Sequence, residues 1–210
     1  MTSPMALFAI PSLRRLSPLF ALLLALMVSG CGINNIPTFE EQAKAKWSDV
    51  QNQYQRRADL IPNLVETVKG YAAHEKDVLE GVVKARAAAV APSAGPEVLN
   101  DPAKFKEYEQ RQMELSGALG RLLAIVENYP DLKANQNFLA LQSQLEGTEN
   151  RISVARRDYI AAFQDYNTEL TTFPGRIWRS VMYSSAQPLA TFDIPPQETQ
   201  TPRVDFGTKK

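Results

Sequence analysis

Apolar residues return at alternating steps of three and four along three separate stretches, a period near 3.5 that demands long packed helices. The first stretch carries Trp47, Val50, Tyr54, Ile61, Leu64, Val68, Tyr71, Val78, Val82 and Ala85, with Arg57 and Glu75 as charged members of the seam. Phe105, Tyr108, Gln112, Leu115, Leu119, Leu122 and Val126 form the second seam. The third runs through Phe138, Leu141, Leu145, Thr148, Ile152, Ala155, Tyr159, Ala162 and Tyr166. Leu139, Ile160 and Phe163 widen it toward the broader apolar face of a bundle helix. No run shows the two-residue alternation of a half-buried strand. The fold class is therefore all-α, an antiparallel bundle of three to four long helices.

Breakers divide these seams. Thr38 and Glu41 have the spacing of a capping box, so the first helix is expected to begin at Thr38. A single rod from there to Val90 would be roughly 80 Å long. Pro62 has no N–H, and its ring clashes with the carbonyl four residues back, which predicts a first helix bent or broken near Pro62. Asp59 is the available cap if the helix restarts there. Ala91 to Pro102, with three prolines and a glycine, reads as a loop whose last pair, Asp101 and Pro102, opens the second helix. Pro130 ends that helix, because the residue before a proline is pushed out of helical angles. After Thr172 the seam fails, and Phe173, Ile177, Trp178, Val181 and Met182 suit a short helix or wrap against the bundle end. The body is thus assigned to residues 38–185. The polar stretch 186–210, punctuated by Pro188, Pro195, Pro196 and Pro202, is expected to form a disordered tail.

The N-terminus has a different character. Before Cys31 there is no acidic residue, and Arg14 and Arg15 precede an apolar run from about Leu16 to Val28, the order of a secretory signal. As a helix that run is near 20 Å, short of the roughly 30 Å hydrocarbon core of a bilayer. Val28, Ser29, Gly30 and Cys31 resemble a bacterial lipobox: small side chains admit the backbone to the peptidase, and a thiol supplies the sulfur for a thioether. Residues 1–30 are expected to be a lipoprotein-type signal peptide, with acylated Cys31 opening a short tether over residues 31–37. The alternative is an uncleaved single-pass anchor lengthened by Met5 to Leu13. Gly32 after the modified Cys, in place of Asp, favours the outer membrane over the inner, with the body outside the cytoplasm.

The counts exclude several chemistries. Basic and acidic residues are equal at 23 each, which gives no field for nucleic acid. One Cys and one His cannot build a disulfide or a soft-metal cluster, so neither a metal nor a cofactor is expected. His74, in "AAHEKD", lacks a second His at helical spacing. Glu127, Asp131 and Asn135 in "VENYPDLKANQNF" are read as a turn between helices. There is no phosphate-binding glycine loop, nucleophile elbow or Cys/His pair, so no catalytic residues are assigned.

The segments "YQRRADLIPNLVETVKGYAAHE" (54–75) and "VENYPDLKANQNFLALQSQLEGTENRISVARRDYIAAFQDYNTELTTFPG" (126–175) resemble the LemA family of bacterial membrane-associated proteins. That resemblance covers about 38–178 and implies a helical bundle behind an N-terminal membrane segment, with no catalytic residues to transfer. The lipobox-like Cys31 departs from the longer plain N-terminal helix usual in the family. Within the body, "RRADLIPN" is the sharpest internal motif: Arg57 on the seam with Asp59, Pro62 and Asn63 at an irregularity, as a structural pair and kink or as a docking notch. The expected function is that of a non-enzymatic, membrane-anchored interaction or scaffold module, partnered by other envelope proteins or by itself. The alternatives are a module binding peptidoglycan or polysaccharide and, less favoured, a hydrolase with an unfamiliar site.

Overall fold

The computed structural model describes residues 32–90 and 95–192. Four long helices carry the body: α1 (Asn35–Lys69), α2 (Lys76–Val90), α3 (Pro102–Val126) and, after the single-turn α4 (Pro130–Lys133), α5 (Gln136–Thr171). A short α6 (Gly175–Val181) follows. No strand is present among the described residues. The helices alternate in direction: Asn35 at the start of α1 reaches Glu169 near the end of α5, and Glu75 ahead of α2 meets Tyr129 beyond α3.

Helix α1 starts at Asn35, ahead of Thr38, whose amide donates to the Asn34 carbonyl as an ordinary helical residue. The reason is Ile36, only 1% exposed, which extends the buried seam one step back, while Pro37 lies in the first turn, where a missing donor costs little. Residues 35–37, expected as tether, therefore belong to the body. Cys31 and the preceding leader lie outside the described residues.

The helix runs through Pro62 and ends at Lys69, so the first helix divides past the proline, at Gly70 to Glu75, and not as one rod to Val90. The proline leaves the Ala58 carbonyl without its helical donor. Arg86 on α2 supplies one, its Nε donating to Ala58 O at 2.7 Å. Arg86→Met should cost about 1.5–3 kcal/mol, as for a hydrogen bond to a charged group. In a Pro62→Ala background residue 62 regains an N–H for that carbonyl, and the cost should shrink. A double-mutant cycle by chemical denaturation measures the coupling, which vanishes if Arg86 does not serve that carbonyl.

The core falls into two halves. The distal half, between the long helices, holds Ile61, Leu64, Val68, Val82, Leu115, Leu122, Phe138 and Leu145. The proximal half is aromatic: Trp47 packs on Phe105, Tyr108 and Tyr159 at ring-centroid distances of 5.2, 5.4 and 5.4 Å. Helix α2 ends too early to cover this half. Two segments expected to be irregular do so. Within the loop 91–102, Pro96–Asn100 forms a 3-10 turn that buries Val98 and Leu99. The start of the expected tail packs without regular secondary structure: Leu189, Ala190 and Phe192 are buried, and the Ala190 amide donates to Leu99 O at 2.7 Å. Tyr159 adds an O–H bond to the Ala190 carbonyl at 2.5 Å. Residues 193–210 lie outside the described residues. Of the residues expected to widen α5's face, Ile160 and Phe163 pack on this core, whereas Leu139 is 48% exposed, since Phe138, Leu141 and Leu145 take the side of α5 that meets the distal core at its level.

Capping follows the sequence more closely. Asp101 accepts from the amides of Ala103 and Lys104 at 3.0 and 3.2 Å ahead of Pro102, and those amides hold its carboxyl below the usual range. Asn135 accepts from Phe138 N at 3.1 Å and starts α5.

Candidate functional site: the Arg57 layer

Each seam carries a polar member at one level of the bundle, between the two halves of the core: Arg57 on α1, Gln112 on α3 and Thr148 on α5, all buried. Arg57 is the centre. One terminal nitrogen of its guanidinium donates to Ser116 Oγ and Glu149 Oε1, each at 2.8 Å. The other donates to Gln112 Oε1 at 2.7 Å and to the Gln112 carbonyl at 3.3 Å. Its carbon lies 5.1 Å from the Tyr54 ring centroid, within cation–π range.

Gln112 passes the connection on. Its side-chain nitrogen donates to Ala89 O at 3.0 Å, taking a carbonyl that the end of α2 leaves without a helical partner. Glu109, one turn before Gln112, pairs with Arg156 at 3.3 Å, and Arg156 lies 4.1 Å over the Phe192 ring. The Arg57 group thus joins all four long helices, and the neighbouring Glu109–Arg156 pair joins α3 and α5 to the C-terminal segment. Burying a cation is costly unless its donors are met, and this pairing of helix levels serves both terminal nitrogens of Arg57 while its buried Nε has no hydrogen-bond partner among the described residues.

The remaining members of the motif point outward. Asp59, Pro62 and Asn63 are exposed; Asp59 accepts from Gln55 at 2.7 Å, and the Asn63 carbonyl accepts from Thr67 at 2.8 Å. His74 is exposed in the turn between α1 and α2. In the α3 to α5 turn, Glu127 pairs with Lys133 at 2.5 Å, and Asn135 donates to Tyr71 Oη at 2.9 Å. No group of three His, Cys, Asp or Glu side chains placed to hold a metal occurs among the described residues.

Sequence reasoning singled out Arg57 but not Glu149, Ser116, Glu109 or Arg156. Those four lie off the seam, where nothing distinguishes them from solvated residues. Gln112 and Thr148 did carry a signal, since a polar side chain on an apolar seam needs a partner. The cleft over Arg57, lined also by Tyr54, Glu109, Glu149 and Arg156, has a volume of about 90 Å³. Small-molecule sites run to about 300–1,000 Å³, so this one suits water and side chains.

Burial raises the phenol pKa of Tyr54, Tyr108 and Tyr159, and that of Tyr166 up to about 12. The folded state thus favours the neutral rings. Their contribution to stability is complete below the unfolded value of about 10 and is lost as pH rises through the folded values. A spectrophotometric titration should show these phenols ionising late, together with loss of helix. Full ionisation of all 7 tyrosines near pH 10 with helix retained would contradict this packing.

Comparison with known proteins agrees with this architecture. The LemA family profile matches residues 46–206. Magnetosome proteins MamQ 2 and MamQ 1 of Paramagnetospirillum magneticum are each 31% identical over 157 residues, covering 67% of this chain and 58% of each relative. Magnetosome protein MamQ of Magnetospirillum gryphiswaldense is 29% identical over the same length and coverage. The chain therefore spans less than two thirds of the length of these curated relatives. With a profile match over most of its length and the helical body that the two shared segments build, the chain belongs to the LemA family.

Proposed function

We propose that this protein is a non-enzymatic, membrane-tethered interaction module of a bacterial envelope. The observation that carries this reading is the closure of its polar interior. Both terminal nitrogens of Arg57 are taken up by Ser116, Glu149 and Gln112, Gln112 takes a carbonyl at the end of α2, and Arg156 pairs with Glu109, so the layer is occupied by the bundle's own groups and the long outer helix faces are the surface offered to partners. Lipidated Cys31 supplies the tether, with the body outside the cytoplasm and the outer membrane favoured. A diacylated Cys with a further amide-linked chain anchors stably, since each buried methylene contributes about 0.8 kcal/mol. After cleavage the chain carries a net charge of −2, so the acyl groups and not a basic surface hold it to lipid. The partners are other envelope proteins or further copies of the chain.

Intact mass of the native, detergent-extracted protein tests the tether. The expected species begins at Cys31 and carries added acyl mass. A full-length, unmodified species would replace the lipid anchor by a spanning helix.

A further inference from the structure

Helix α6 and the residue pair before it present an apolar face that no described residue covers. Phe173, Ile177 and Val181 recur every fourth residue and are 80%, 48% and 71% exposed, with Met182 beside them at 54%. The opposite side is fixed to the body. Trp178 packs against the proximal core, Arg179 Nε donates to Ala186 O at 3.1 Å, and a Cβ on Gly175 would collide with the Glu169 carbonyl. The face is therefore held outward rigidly.

Its position identifies what covers it. Gly32 lies against the start of this segment: a Cβ there would stand 3.4 Å from Pro174 Cγ. Cys31 is the next residue back, and consecutive Cα atoms are about 3.8 Å apart. Acyl chains on Cys31 would enter the bilayer within a few side-chain lengths of Phe173. Exposed Arg176 and half-buried Arg179 flank the apolar residues, and long basic side chains can keep their charges at the headgroup level while their stems lie in apolar surroundings.

We infer that Phe173, Ile177, Val181 and Met182 seat in the acyl boundary of the same bilayer that holds Cys31, standing the bundle end-on with its distal half farthest from lipid. This rests on the membrane tether proposed above. The test places an environment-sensitive fluorescent amino acid at Val181, or at Leu139 near the distal end, in the full-length protein. Each variant is reconstituted in phosphatidylcholine and phosphatidylglycerol vesicles containing an acyl-chain nitroxide quencher. The expected result is flotation of both, with blue-shifted, quenched emission at position 181 and water-like, unquenched emission at 139. Flotation with water-like emission at 181 would overturn the inference and leave the tether intact. Blue-shifted emission that the nitroxide does not quench would do the same, assigning the face to protein. Failure to float would overturn the tether and the inference with it.

Discussion

Arg57→Ala should lower the free energy of unfolding by about 3–5 kcal/mol, the range for cutting a large buried side chain back to alanine, with the loss of a buried hydrogen-bond partner included. The substitution leaves Gln112 without its donor and opens space where a side chain 2% exposed had filled the centre of the bundle. The comparison with Glu149→Gln separates charge from packing. Glu149 is 48% exposed, so water can replace part of its role, and Gln can still accept from Arg57. That change should cost about 1–2 kcal/mol, within the range for loss of a charged hydrogen-bond partner. Arg57→Met should recover part of the alanine loss, because an apolar group of similar volume leaves no cation to satisfy. Urea denaturation followed by far-ultraviolet circular dichroism measures all three. Equal, small losses for Arg57→Ala and Glu149→Gln would mean that the layer carries little of the stability.

Phe192→Ala should cost about 3–5 kcal/mol, as for a buried aromatic side chain cut back to alanine. Its ring lies 5.0 Å from Phe105, 5.8 Å from Tyr159 and 6.1 Å from Trp47, and Arg156 stacks over it. The substitution removes one wall of the proximal core. It also removes the contact that links Arg156 and Glu109 to the C-terminal segment. A loss below about 0.5 kcal/mol, the usual effect of a surface change, would mean that the segment does not close the core in solution.

The seams were legible because burial on a long helix writes a period into the sequence. Trp47, Val50, Tyr54, Ile61, Leu64 and Val68 are all buried, as is each seam member of α3 from Phe105 to Val126. Asp101 and Pro102 marked a helix start because that chemistry is local. Pro62 marked the place where a helical hydrogen bond is lost, and the helix nevertheless continues through it without a break. A side chain from another helix, Arg86, takes the freed carbonyl, and no local pattern announces such a partner. The segment 186–192 was misread for a related reason. It opens a stretch punctuated by prolines and polar residues that resembles a loose tail, while Leu189 and Phe192 find their places only once α2 has stopped at Val90 and left the proximal half uncovered. Ile36 shows the same effect at the other end, where its burial carries the helix back into a short stretch that reads as a tether. In the Arg57 layer, the seam residue was visible, but its partners depend on the relative levels of helices that meet only in the folded bundle.

Photo-crosslinking in intact cells addresses the functional account most directly. A benzophenone amino acid at Val83, Met113 or Val154, each on an exposed helix face at 52%, 54% and 46%, reports what those faces touch in the envelope. An interaction module gives discrete protein adducts from at least one face of the anchored chain, whether with another envelope protein or with a second copy. Uncrosslinked monomer from every face, together with a turnover activity abolished by a single carboxylate substitution, would contradict it.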